Sequence, residues 1–576
     1  MMRELLLSIR PLLSSIMENM NVQEEDWSEL LASSTDSSFA DVAMPCHSLS
    51  KILKKSPVQI ADQIFENIGD DLSGLCTTSS VNGFLNFSAD PKWLSMYMQK
   101  LHTDERLGVS MDEERTIVVD YSSPNVAKHM HVGHLRSTVI GDSLVRMLTY
   151  KGHLVVRENH IGDWGTPFGM LIEHLLDVGE NNSVNEIDLA TFYKDAREKF
   201  ESDLDFSHRS RKRVVKMQSN DPETISYWQM LVDKSLLHFN EVYQMMGVLL
   251  TNNDLAGESK YESSLSEVVN RLAEVDLLKE SQGAQVVFPE GWCNREGEPL
   301  PLIIRKADGG YNYATSDLAC IIDRVENVGA TDFLYVVGAE QAQHFAMVFQ
   351  VARKAGFMDD KISATHVPFG LVMGTDGKKL ASRTGGAVHL KDLLIEAVER
   401  ASSIIIEKNP SLSEIERNEV ARMLGIGAIK YADLSTDRNN NYTFDWEKML
   451  SFDGNTAPYL QYAHARICSI FSKANIDRYL IRESTISISN QHEVLLAKAI
   501  LSFPESLDKA IDTNSPHKLA TQLHSLAQAF ATFYEFCPVI SSEPDIFDSR
   551  IALCDLTART LKQGLELLGI EAPTKM

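Results

Sequence analysis

Thr116-Ile117-Val118-Val119-Asp120, running on into Tyr121-Ser122-Ser123-Pro124-Asn125, is a short β-branched segment that ends in turn chemistry. A helical face follows through Leu135, Val139, Ile140, Leu144, Met147 and Leu148 and stops at Gly152. A second apolar run, Leu154-Val155-Val156, comes directly after it. Strand, helix and strand at this spacing make a βαβ unit of a parallel sheet. Ligands of such sheets gather at the carboxyl ends of the strands and at helix N-termini.

The theme returns downstream. Phe333-Leu334-Tyr335-Val336-Val337 leads through Gly338 into a helix carrying Phe345, Val348, Val351 and Ala352. Between the two units, at about residues 175–285, lies a charged, helix-prone stretch that includes Arg209-Ser210-Arg211-Lys212-Arg213 and reads as an insertion between sheet halves. Ahead of the first unit the chain mixes an amphipathic pattern from Val58 to Ile68 with the alternating run Asn82-Gly83-Phe84-Leu85-Asn86-Phe87-Ser88, the signature of a small α/β domain. From about residue 390 the signals are almost wholly helical. The expected architecture is therefore α/β: a small N-terminal α/β domain over 1–112, a Rossmann-like parallel-sheet domain with its insertion over 113–390, a helical connection over 391–454 and an all-helical C-terminal domain over 455–576.

With 576 residues, 44% of them hydrophobic and 23% charged, the chain has the composition of an ordinary globular protein of several domains. Arg10 and Pro11 interrupt the apolar start and no small-residue cleavage pattern follows, so a secretory leader is not expected. No apolar stretch approaches the roughly 18 residues that span a bilayer, which makes a cytoplasmic protein without a membrane partner the expectation. The seven cysteines are scattered, with no Cys-x-x-Cys pair, which removes the usual zinc-ribbon and disulfide-framework readings. A net charge of −25 argues at first against a nucleic-acid partner, but local basic stripes and stacking aromatics hold folded RNA on acidic proteins as well.

The first chemical constellation, His131-Val132-Gly133-His134, falls where the first strand of the sheet gives way to its helix. Two imidazoles flanking a glycine can donate to phosphate oxygens, while the missing side chain at Gly133 lets a flat nucleoside approach the backbone. The helix N-terminus adds favourable potential for an anion. Taken alone, His129, His131 and His134 also suit a metal cluster. The second constellation is Gly374-Thr375-Asp376-Gly377-Lys378-Lys379-Leu380-Ala381-Ser382-Arg383-Thr384-Gly385-Gly386, a glycine-rich loop whose cations Lys378, Lys379 and Arg383 can close over a triphosphate; by itself it is equally a solvated basic turn.

Together, in this order and with an insertion between them, the two motifs resemble the "HIGH" and "KMSKS" signatures of class I aminoacyl-tRNA synthetases. Asp120 to Thr138 and Asn159-His160-Ile161-Gly162-Asp163-Trp164-Gly165 are similar to the arginyl branch of that class. So are Gly310 to Asp317, Ile429 to Ser435 and Asn455 to Arg466. The resemblance runs from about residue 80 to the C-terminus. It implies ATP-dependent activation of L-arginine, with Mg2+, and transfer to the 2′-hydroxyl of the terminal adenosine of the arginine tRNA; a monomer without a metal site of its own is the separate expectation. A non-catalytic relative would be expected to have lost a motif, whereas both histidines and Lys379 are kept.

By the same resemblance, Asp120, Asn125, Tyr313, Asp317 and Gln341 stand at the arginine-binding positions, with His160 nearby. Asp317 is the first candidate for the guanidinium. Phe84 and Asn86 stand where the family meets the D-loop of the tRNA, and Tyr459, Gln461, Tyr462 and Arg466 are the RNA-facing candidates of the anticodon-binding bundle. One departure stands out: Ser382 occupies the place of the second lysine of the basic loop. The resemblance implies that Lys128, just upstream of the histidines, replaces its charge, with Lys378 as a second candidate.

Overall fold

The computed structural model describes residues 2–34, 40–179, 189–381, 388–476, 478–481 and 484–576. The chain separates into two compact units, one of Met1–Ser110, Ser451–Glu566 and Glu571–Met576, the other of Met111–Leu450 and Leu567–Ile570.

In the first unit, β1 (Ala32–Ser33), β2 (Val42–Pro45), β3 (Cys76–Val81) and β4 (Phe84–Ala89) form an antiparallel sheet in the order β1-β2-β4-β3. Asn82 and Gly83, both with positive φ, make the two-residue turn that fits the right-handed twist of the β3–β4 hairpin. The alternation expected for β4 is present: Leu85, Phe87 and Ala89 are buried, while Phe84, Asn86 and Ser88 share the opposite, more open face. Ser56 and Gln59 form a capping box that starts the Pro57–Ile68 helix, whose Ile60, Ala61 and Ile64 are buried. The remainder of this unit is helical, with Ala457–Ala474, Gln491–Leu501, Phe503–Asp512 and His517–Phe536 as its main members.

The second unit is built on β5 (Thr116–Asp120) and β6 (Leu154–Glu158), joined by the Val132–Tyr150 helix as the sequence predicts. After the helices of the insertion, β7 (Lys279–Ser281), β8 (Ala284–Val287) and β9 (Leu302–Arg305) form a small antiparallel sheet. The chain then returns with β10 (Asp332–Tyr335) and β11 (Ser363–His366) to complete a parallel sheet ordered β11-β10-β5-β6. Ile117, Val118 and Val119 of β5 are almost fully buried, because a central parallel strand is covered on both faces. Val118 and Phe333 are register partners, and Leu318 and Val348 from the helices around them share their core.

One feature departs from the nearly all-helical expectation beyond residue 390. Tyr442–Thr443 (β13) pairs in parallel with Val372–Met373 (β12), the strand that enters the basic loop. Two residues are too few to print a period-two pattern. Beside this pair, Arg136 of the histidine-bearing helix donates from Nε to Asp433 at 3.0 Å and from Nη1 to the Asn440 carbonyl at 2.8 Å, with both charged side chains buried. Removing one partner of such a pair costs about 3–5 kcal/mol, so the contact firmly links the two helices that carry it. Among the described residues, no helix is long and apolar enough to cross a membrane. Cys46, Cys76, Cys320, Cys537 and Cys554 are buried free thiols.

Candidate active site

Between β5 and the Val132–Tyr150 helix the backbone passes through three left-handed residues, Ser122 (φ 75°), Ser123 (φ 48°) and Ala127 (φ 60°). Residues with a Cβ hold such angles only where their surroundings over-determine them. Here the backbone N–H of Ser122 donates to Ser137 Oγ at 2.9 Å, that of Ser123 to Asn159 Oδ1 at 3.0 Å and that of Ala127 to Ser235 Oγ at 3.0 Å. Tyr243, from the Pro222–Met246 helix of the insertion, brings its hydroxyl to 2.7 Å from Ser122 Oγ and accepts from Asn159 Nδ2 at 3.0 Å. Burial raises the Tyr243 phenol to about 12, so it stays neutral.

This loop delivers His131 to the N-cap of the helix. His131 Nδ1 accepts the Gly133 N–H at 3.0 Å, and His134 Nδ1 accepts the His131 N–H at 3.1 Å. The result is a capping box made from two imidazoles, with ring centroids 4.0 Å apart. A Cβ at Gly133 would come within 2.7 Å of His131 Cε1, so only glycine lets the ring fold back onto the backbone. With both Nδ1 atoms accepting, the geometry assigns the proton of each neutral ring to Nε2. Burial lowers both pKa values, His134 to about 3 with repulsion from His131 adding to it. At neutral pH each ring is uncharged and offers one Nε2–H.

Cations stand close by. Burial lowers the pKa of His131, and the charges of Lys379 and Lys128 add to the shift. Lys128 is exposed, with Nζ 4.7 Å from the ring centroid of Tyr193. The basic loop begins as a tight turn in which Gly374 N–H donates to the Lys378 carbonyl at 2.7 Å and Leu380 N–H to that of Val372 at 3.0 Å, leaving Lys378 and Lys379 exposed. Ser382 and Arg383 lie outside the described residues. The chain that follows them is bonded to the histidine tract, through Val132 N–H to Val388 and Leu390 N–H to Met130, at 3.0 and 2.9 Å. His129 belongs to another neighbourhood, with Nδ1 3.2 Å from His238 Nε2 and its ring 4.8 Å from that of His389. The three histidines of the tract therefore do not converge on one point. No group of three metal-ligating side chains is arranged to hold an ion among the described residues.

The arginine-site candidates lie near the carboxyl ends of the parallel strands. Asp317 is in the first turns of the Tyr313–Glu326 helix, and its Oδ2 is 2.6 Å from Nε2 of His344, in the first turn of the Ala342–Lys354 helix. Tyr313 is 70% exposed one turn before Asp317, and Gln341 is exposed one turn before His344. Asn125 is exposed and bridged to Gly162. His160 has Nδ1 3.6 Å from the Cys320 sulfur; burial works against its charge, but Cys320, Asp120 and Asp317 outweigh it and raise its pKa. Asp120 ends β5. It is buried, takes Arg324 Nη2 at 2.6 Å and Ser123 Oγ at 3.2 Å, and so has its charge matched inside the protein.

The RNA candidates belong to the first unit. Phe84 is 39% exposed, with its ring edge-on to His47 at 5.3 Å. In the Ala457–Ala474 helix, Arg466 donates from Nη2 to the Tyr462 hydroxyl at 3.0 Å and lies over the rings of Tyr462 and Tyr534, lining a groove of about 340 Å³ with Ser469 and Lys473. Tyr459 is half-buried against His524. Gln461 corrects the expectation of an RNA-facing side chain: it is fully buried and donates to the Glu571 carbonyl at 2.8 Å, because it falls on the inward stripe of its helix with Leu460 and His464.

Three family models cover nearly the whole chain: the arginyl tRNA synthetase N-terminal domain at residues 7–89, the class I (R) tRNA synthetase catalytic domain at 97–446 and the DALR anticodon binding domain at 460–576. The chain belongs to the class I arginyl-tRNA synthetase family. It is 48% identical over 547 residues to the arginine–tRNA ligase of Thermobifida fusca, covering 94% of both chains. It is 45% identical to that of Pseudoalteromonas atlantica over 92% of both. Of solved structures, the arginyl-tRNA synthetase of Plasmodium falciparum matches with a TM-score of 0.81 at 27% identity over 98% of each chain. That of Thermus thermophilus shares the fold at a TM-score of 0.78 and 24% identity over 95% of this chain and 96% of its own.

Within this arginyl-tRNA synthetase, three residues escaped the sequence reading. Tyr243 pins the left-handed loop, His344 meets Asp317, and Glu258 is a half-buried carboxyl raised to about 7 by burial, with His160 opposing and Asp163 and Asp317 adding to the shift. Glu258 is anchored through its N–H to the Ile161 carbonyl at 3.1 Å, which ties it to the His160 segment. None of them was signalled by a local sequence pattern, because each acts on a partner distant in the chain.

Proposed function

We propose that this synthetase activates L-arginine with MgATP and transfers it to the 2′-hydroxyl of the terminal adenosine of the arginine tRNA. The observation that carries the reading is the capping box of His131 and His134 at a helix N-terminus, which occupies both Nδ1 atoms and presents two Nε2–H donors where an anion is favoured. In the first step a carboxylate oxygen of arginine attacks the α-phosphorus of ATP; the new bond is carboxyl O–P, and the broken one releases pyrophosphate. His131 and His134 donate to the phosphate oxygens, and Lys128, Lys379 and the exposed Lys378 balance the charge moving onto pyrophosphate. Mg2+ enters on the phosphates of the substrate. In the second step the 2′-hydroxyl attacks the carbonyl carbon and AMP leaves.

For arginine, Asp317 and Glu258 supply the acceptors that a guanidinium fork requires, Tyr313 covers the pocket, and Asn125 and Gln341 serve the polar end of the amino acid. Asp120 acts through Arg324 and Ser123. Phe84 and Asn86 of the 1–112 domain, and Tyr459, Tyr462 and Arg466 of the 455–576 domain, would contact tRNA, while 113–390 carries the chemistry and 391–454 connects. The enzyme would work as a monomer in the cytoplasm. The test is arginine-dependent exchange of pyrophosphate into ATP, with tRNA present and absent; exchange driven equally by another amino acid would refute the substrate assignment.

A further inference from the structure

Asp317 and His344 begin two different helices and meet at 2.6 Å, with Asp317 19% and His344 28% exposed. The other carboxylate oxygen, Oδ1 of Asp317, takes no hydrogen bond from any described residue. The imidazole is itself braced. It lies edge-on to Phe345 at 5.6 Å, and Phe345 packs against Tyr335 at 4.9 Å and stacks on His366 at 5.2 Å. His366 in turn has Nε2 2.9 Å from the Val337 carbonyl, so the chain of contacts ends on the backbone just beyond β10.

An aspartate carboxylate rotates about two bonds, and the terminal torsion is broad. A hydrogen bond to one oxygen decides where the other is presented. We infer that His344 is a positioning residue for arginine recognition, holding Oδ2 of Asp317 so that Oδ1 meets the guanidinium, without touching the substrate itself. The inference rests on the reading of Asp317 as the guanidinium acceptor. A guanidinium is a planar fork whose bonds depend on the orientation of the acceptor, whereas the ammonium of lysine is a point charge with three rotatable donors. Loss of His344 therefore weakens arginine more than lysine and narrows the preference between them.

The test is pyrophosphate exchange at saturating tRNA with the wild type, His344→Ala, His344→Gln and Asp317→Asn, varying arginine, lysine and ATP separately. His344→Ala is expected to raise the KM for arginine about tenfold, the scale of a lost charge-assisted hydrogen bond, while the KM for ATP and the kcat at saturating arginine hold. His344→Gln, whose amide N–H can replace Nε2–H, is expected to recover most of the loss. If Asp317→Asn raises the arginine KM and His344→Ala does not, or if His344→Ala raises the arginine and ATP KM values equally, the inference about His344 fails. If Asp317→Asn leaves the arginine KM at its wild-type value, the reading of Asp317 fails, whatever His344→Ala does.

Discussion

His134 Nδ1 accepts the backbone N–H of His131 at 3.1 Å, and this one bond determines which nitrogen of the ring can act. With Nδ1 occupied and the pKa lowered to about 3, chiefly by burial, His134 is a neutral Nε2–H donor throughout the working pH range.

His134→Ala should accordingly cost adenylate formation about 2–4 kcal/mol of transition-state stabilisation, the scale of one positioned donor. Arginine-dependent pyrophosphate exchange at the wild-type rate in a folded His134→Ala protein would refute the role.

Glu258 sets a pH dependence. Burial, opposed by His160, pushes its carboxyl up to about 7, and a guanidinium would pair with the ionised form. Arginine affinity should therefore fall as pH drops from about 8 to about 6, approaching tenfold per unit at the acid end, with protons released on binding. For stability, a carboxyl raised from 4.5 favours the fold fully below 4.5 and loses that contribution as pH rises through 7. Calorimetric titration of arginine in buffers of different ionisation enthalpy reads the proton count. A wild-type affinity that is flat over this range, or a Glu258→Gln variant that keeps the slope, would show that another group is responsible.

The βαβ core was legible because β5 and β6 stand out as short β-branched and apolar runs on either side of a helix whose buried face repeats at helical spacing. The β12–β13 pair was not, since two residues carry no period. Gln461 was misread for a related reason: an amide looks solvent-facing in a sequence, but its position between Leu460 and the next inward turn put it inside, where a backbone carbonyl satisfies it. His344 and Tyr243 act on partners 27 and 121 residues away in the chain, and no local pattern encodes such a meeting. The histidine tract was legible as a motif. Its tautomers became readable only from the distances.

Tyr243→Phe removes the hydroxyl shared by Ser122 and Asn159; Ser122 Oγ keeps its bond from Thr138, but the buried Asn159 amide N–H loses its acceptor. Urea unfolding should record a loss of about 1–3 kcal/mol. The left-handed loop should relax as well, so kcat for pyrophosphate exchange should drop in protein that is still folded. Unchanged stability together with unchanged kcat would mean that the loop holds itself.

Lys128 is expected to supply the charge that Ser382 lacks, since it stands exposed just ahead of the N-cap His131. Lys128→Ala should damage arginine activation severely, and adding Ser382→Lys should restore part of it. Near-normal exchange in Lys128→Ala beside a large loss in Lys378→Ala would transfer the role to Lys378.

The most direct measurement is aminoacylation of total tRNA by the purified enzyme with each of the amino acids in turn, in the presence of MgATP. Charging with arginine alone, into tRNA that accepts arginine, is the expected result. Charging with a different amino acid, or none with arginine under conditions where the protein is folded, would contradict the assignment of this chain as an arginine-activating synthetase.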